Sequence, residues 1–136
     1  MGNPLYGLRI VREFAAAHRI AGYRGECANL HGHTWRVEVQ LYARSLAALS
    51  GDDAAGEVVD GMLVDFRYLK RLIDDILPDH KYLNDEFTFN PTAENLAAHF
   101  YYAIATALPL GLKDALHEVV VWESDHAAAS YKEARG

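Results

Sequence analysis

Cysteine is almost missing from this chain: Cys27 is the only one in 136 residues. A lone thiol cannot close an internal disulfide, so packing must hold the fold, and a reducing cytoplasm is the expected compartment. Long apolar runs are missing too, since none approaches the roughly 20 residues of a membrane span. The opening Met1-Gly-Asn-Pro-Leu-Tyr6 lacks the basic and apolar regions of a signal peptide. Positive charge is scarce: 13 Lys and Arg face 19 Asp and Glu, for a net charge of −6. That balance excludes a protein that grips nucleic-acid backbone, although a few local cations would still hold a small phosphorylated ligand. No repeat or low-complexity tract is present. With 51% hydrophobic and 24% charged residues, one soluble globular domain over residues 1–136 is expected.

What is present reads as strands and helices in a clear order. Leu8-Arg-Ile-Val-Arg-Glu-Phe14 mixes apolar and charged residues as a strand does. Residues 19–29, rich in Gly, Arg and Ala, read as a loop. Thr34–Ala43 alternates more cleanly, with Trp35, Val37, Val39 and Leu41 on one face and Arg36, Glu38 and Gln40 on the other. Residues 45–61 read as a long exposed acidic connection carrying Asp52, Asp53, Glu57 and Asp60. Phe66–Leu77 has apolar residues at 66, 69, 73, 76 and 77, a helical stripe with Asp65 as N-cap and Pro78 as its stop. A second helix opens at Thr92, or at Asn90 with Pro91 as its first residue, and runs to about Leu108. The valine-rich stretch Leu116–Trp122 is a last strand, and Met62–Val64 is a candidate short one. The expected fold is α+β: an antiparallel four-stranded sheet with two helices on one face.

Chemistry concentrates in His18 and in Cys27-Ala-Asn-Leu-His31-Gly-His33. Two residues apart on a strand, His31 and His33 point to one face, which Trp35 and Val37 share. His18 supplies a third imidazole from a neighbouring strand. Three neutral imidazoles suit zinc and leave a fourth tetrahedral position open. By itself a His-x-His pair is equally well two polar positions of a strand, and Cys27 alone reads as a small buried hydrophobe. His99, His117 and His126 have no partner pattern and read as surface or helix residues.

Several further segments match one family in order. They are Phe14-Ala-Ala-Ala-His18, Cys27–His33, Leu63-Val-Asp-Phe66, Asp79-His80-Lys-Tyr-Leu-Asn84, Asn90-Pro-Thr-Ala-Glu-Asn95 and Val121-Trp-Glu-Ser124. Together they cover nearly the whole chain, and on them it resembles the 6-pyruvoyltetrahydropterin synthase family, most closely its 6-carboxytetrahydropterin branch. The three-residue gap between Cys27 and His31 is like that branch. Pro78 departs from the family's usual leucine.

The resemblance implies the tunnelling fold and a homohexamer built from two trimers, with active sites between subunits. It implies His18, His31 and His33 as ligands of Zn2+, and Cys27, Asp79 and His80 as the proton-transfer groups. Glu123 would anchor a pterin ring, with Thr92 and Glu94 lining its pocket. The implied substrate is a dihydropterin triphosphate, and Arg19, Arg24 and Lys81 lie near the matched motifs as candidate cations.

Overall fold

A computed structural model describes residues 2–24, 29–46 and 60–133. Cys27 lies outside these residues, as do Asp52, Asp53 and Glu57 of the acidic connection. The elements are β1 (Tyr6–His18), β2 (His31–Ala43), α1 (Phe66–Ile76), β3 (Lys81–Tyr82), α2 (Leu83–Glu86), α3 (Ala93–Ala107), a 3₁₀ helix (Leu110–Ala115), β4 (Leu116–Ser124) and β5 (Ala127–Tyr131).

The fold is α+β as expected, but the sheet has five strands, in the order β3-β1-β2-β4-β5. It is also mixed: β3 pairs parallel to β1, while the other neighbours are antiparallel. Two expectations therefore need correction. The added strands are the two-residue β3 and the alanine-rich β5, and the candidate strand at Met62–Val64 is a bend that buries Leu63 and Val64.

β1 and β2 form a ladder of 13 residues each, from Tyr6 opposite Ala43 to His18 opposite His31. Alternation carries Phe14, Trp35, Val37, Val39, Val119 and Val121 to one face, where they are buried. Leu69 and Ile73 of α1 and Leu96, Phe100 and Ile104 of α3 close over that face. Each such side chain contributes about 1.5–3 kcal/mol by leaving water. Phe14 stacks on Trp35 at 5.9 Å and meets Phe100 edge-on at 5.7 Å.

The helix ends follow their capping chemistry. The Asp65 carboxylate accepts from the Arg67 N–H, and the Thr92 hydroxyl accepts from the Asn95 N–H. Asp65 is thus the cap that the sequence indicates, and Thr92 is chosen over Asn90 for α3.

Candidate metal centre

The core face of the sheet changes from apolar to polar at one end. Continuing Phe14 and Ala16 by two residues reaches His18, and stepping back from Val37 and Trp35 reaches His33 and His31. On β4 the run Val119, Val121 leads by the same alternation to Glu123, at an irregularity in the pairing of β4 with β5 between Trp122 and Ser124. One surface therefore supplies both the core and the site. The register places His18 directly opposite His31 and His33 opposite Ala16.

The side chains converge. His18 Nε2 lies 2.8 Å from His31 Nε2 and 3.2 Å from Glu123 Oε1, and His33 Nε2 lies 3.1 Å from the same oxygen. One ligand atom from each of the four residues falls within 4.8 Å of the others. Beneath them is Trp35, whose ring meets His18 and His33 edge-on at 4.8 and 5.1 Å. The Trp35 indole N–H donates to the Ala16 carbonyl at 3.2 Å, which fixes this floor.

Proton bookkeeping tests whether a cation fits. The Nδ1 of His18 donates to the Pro91 carbonyl at 2.8 Å, and that of His31 to the Asn29 carbonyl at 2.7 Å. A carbonyl only accepts, so each neutral ring has spent its proton there and presents a bare Nε2 to the cluster. Two lone pairs at 2.8 Å, with a carboxylate oxygen beside them, repel one another unless positive charge sits between them. Burial pushes the pKa of both His18 and His33 down, so added protons are a poor remedy. His33 Nε2 is buried with no hydrogen-bond partner of its own. A divalent cation answers all of these at once, and a ring whose second nitrogen is held by a backbone carbonyl is the usual form of a histidine ligand. The residues fit zinc: three imidazole nitrogens and a carboxylate oxygen lie close enough to one another to hold it.

The other described candidates lie on neighbouring elements. Glu94, in the first turn of α3, borders with Glu123 a recess of about 430 Å3 that is walled by Ala127–Ser130. Thr92 is occupied as the α3 cap. His80 and Lys81 share with His33 an open groove of about 580 Å3, floored by Ala15, Ala17 and Gly32. Both volumes fall within the range of small-molecule sites. A larger cleft of about 590 Å3, between Tyr42, Arg44 and His117, contains none of the candidate site residues.

Asp79 and His80 form a turn on the outer edge of β1. One Asp79 oxygen accepts from the Ala15 N–H at 2.8 Å, and the other lies 2.8 Å from His80 Nδ1. These contacts, the Ala15 N–H first, hold the Asp79 carboxyl below its usual pKa. The His80 N–H donates to the Ala15 carbonyl, and its φ of 59° makes it the one non-glycine residue with positive φ among those described. Such backbone costs about 1–3 kcal/mol and tends to occur at functional sites.

Sequence reasoning placed Glu123 at a pterin and missed its contact with the imidazoles. The alternation of Val119, Val121 and Glu123 was the available signal. The Pro91 and Asn29 carbonyls that orient two of the rings leave no trace in side-chain identity.

At one end of a mixed α+β sheet, three imidazoles and a carboxylate form a group that could hold a metal ion. The chain belongs to the 6-pyruvoyl tetrahydropterin synthase family, whose sequence model matches residues 8–134. It is 34% identical over 122 residues to a 6-carboxy-5,6,7,8-tetrahydropterin synthase of Synechocystis sp., covering 87% of this chain and 86% of that one. It is 32% identical over 114 residues to the dihydroneopterin monophosphate aldolase of Pyrococcus furiosus, covering 82% and 84%. In structure it resembles the 6-pyruvoyl tetrahydropterin synthase of Caenorhabditis elegans, with a TM-score of 0.76 at 23% identity over 96% of this chain and 97% of that one. The fold is thus the tunnelling fold of these enzymes.

Proposed function

We propose that this protein is a zinc-dependent carbon–carbon lyase. It converts 7,8-dihydroneopterin triphosphate and water to 6-carboxy-5,6,7,8-tetrahydropterin, releasing acetaldehyde and triphosphate. The observation that carries the reading is the convergence of His18, His31, His33 and Glu123 in a chain so similar to the Synechocystis enzyme. The product belongs to the deazapurine branch of metabolism that leads to queuosine. No redox cofactor is required, because oxidation and reduction are internal to the substrate.

In this reading His18, His31 and His33 hold Zn2+. Bound zinc supplies Lewis acidity, lowering the pKa of side-chain hydroxyls on the substrate. Cys27 moves a proton on that side chain, its thiolate being the competent form. His80, oriented by Asp79, is the second acid or base. Glu123, which lines the same recess as Glu94, accepts from the pterin ring N–H and exocyclic amine. Glu94 and Thr92 line the ring pocket. Lys81, beside His80, is a candidate for the triphosphate, with Arg19 and Arg24.

The exposed position of Asp79 and His80 supports active sites completed between subunits. The assembly would be a homohexamer of single-domain chains in the cytoplasm. Among the described residues no helix is long and apolar enough to cross a membrane.

A second reading is favoured by the Pyrococcus relative: aldol cleavage to a 6-hydroxymethyl pterin. Cys27 weighs against it, since cleavage of that kind accompanies replacement of the thiol in the family the sequence resembles. A third is triphosphate elimination that stops at 6-pyruvoyltetrahydropterin. Anaerobic incubation of the zinc-loaded protein with 7,8-dihydroneopterin triphosphate, assaying pterins and acetaldehyde, separates them. Acetaldehyde with a 6-carboxy product is expected. A pyruvoyl product without acetaldehyde, or a hydroxymethyl product, would replace the reading, and no turnover would leave a metal-binding protein.

A further inference from the structure

Glu123 takes part in two features of the structure. Its Oε1 lies 3.2 Å from His18 Nε2 and 3.1 Å from His33 Nε2, and the residue also lines the recess that Glu94 borders. Hydrogen bonding does not account for the two imidazole contacts. The neutral His18 ring gives its proton to the Pro91 carbonyl, and His33 Nε2 is buried without a hydrogen-bond partner. The separations match a shared metal instead. Two ligand atoms on a tetrahedral zinc, with bonds of about 2.0–2.2 Å, stand about 3.3 Å apart.

The recess makes a different demand on the same carboxylate. Its other lining residues are Glu94, Ser130 and the alanines at 93, 127, 128 and 129, so their side chains offer Glu123 a single donor, the Ser130 hydroxyl. A pterin edge offers two donors side by side, a ring N–H and an exocyclic amine, which a carboxylate meets with both oxygens. Coordination to a dication withdraws the charge that makes Oε1 an acceptor, so the two uses compete.

We infer that Glu123 is a fourth ligand of the metal in the substrate-free protein, and that it leaves the metal when a pterin edge engages both of its oxygens. Rotation about the glutamate side-chain torsions is enough for the exchange. Recognition of the ring then vacates a coordination position, and without a ring the carboxylate keeps water from it. This rests on the pterin role proposed for Glu123, and its readouts do not need turnover.

The test uses full-length protein loaded with zinc or with cobalt(II), whose visible spectrum reports its ligands. Azide probes an open coordination position. Pterin itself, which lacks side-chain hydroxyls, supplies the ring edge alone, and its fluorescence reports its binding to the zinc-loaded protein. In the parent, saturating pterin should tighten azide binding to cobalt about 10-fold. Glu123→Gln should bind azide that tightly without pterin, and pterin should add nothing. In competition with a chelator, Glu123→Gln and Glu123→Ala should hold zinc about 10- to 100-fold less tightly, the loss that even an outer partner of a metal ligand can cause. Glu94→Gln removes a carboxylate from the same recess but outside the metal group, and should leave zinc affinity near that of the parent.

Azide affinity that pterin leaves unchanged in the parent would overturn the exchange, in a measurement that needs no variant. Parent-like zinc affinity in both Glu123 variants would overturn the ligand. A parent that binds no pterin, beside variants that loosen zinc and tighten azide, would overturn the pterin reading and leave Glu123 as a ligand only.

Discussion

Two regions of β1 show opposite ways to hold a reactive group. On the core face, His18 is fully buried, held at Nδ1 by the Pro91 carbonyl and backed by Trp35. On the outer edge, the His80 side chain is 83% exposed and held by one carboxylate, on a backbone that only glycine adopts without cost. Metal ligands must meet at one point within tenths of an ångström, and paired strands over a packed core supply that precision. A group that exchanges protons needs access, and an edge turn gives it. The cluster of His18, His31, His33 and Glu123 therefore assembles within one chain, whereas the Asp79–His80 pair is exposed at its edge.

The sharpest way to break this contrast is at the buried site. His31→Ala should lose zinc and lower turnover by about three orders of magnitude, read by metal analysis beside the product assay. An active, metal-free variant would remove the metal centre from the reaction. Next in size, Cys27→Ala should keep its zinc and lose about 10²- to 10⁴-fold in turnover. Zinc loss there would make Cys27 a ligand.

The edge site should respond with the reverse pairing of stability and activity. His80→Gly relieves the left-handed backbone and should stabilise the fold by about 1 kcal/mol in thermal melts, while turnover falls about 10²-fold. A destabilised variant would mean that the contact with Asp79 outweighs the strain.

The smallest effect concerns a half-buried imidazole away from both sites. His99 packs against Phe87 at 4.5 Å and Phe89 at 5.5 Å, and burial lowers its pKa below the ordinary 6.5. The folded state thus binds this proton less readily than the unfolded chain. Its contribution to stability is complete above about pH 6.5 and is lost as pH falls toward the lowered folded value. Zinc-loaded protein should melt lower at pH 5 than at pH 7, and His99→Phe should flatten that slope.

The sequence disclosed what periodicity can carry. His31, His33, Trp35 and Val37 share a face because a strand repeats every two residues. The α1 stripe and its Asp65 cap stand where the spacing puts them. Ala15–Ala17 hid the last part of β1, since alanine favours no strand, and only pairing with β2 extends it to His18. Ala127-Ala-Ala-Ser-Tyr131 hid β5 for the same reason. The two residues of β3 are too few for any pattern, and their parallel pairing depends on the turn at His80. For the site, side-chain chemistry pointed to the three histidines. The contact of Glu123 with them, and the carbonyls that orient the surroundings, exist only once the chain is folded.

His18 and His31 face each other across the ladder, and the chain between them, residues 19–30, carries the only thiol. A metal that joins the two rings closes that segment into a loop, as a disulfide closes the chain between two cysteines. Such a cross-link would be reversible and governed by metal supply. Removing the ion would leave the ladder alone to close that loop, with two bare imidazole nitrogens 2.8 Å apart at its neck.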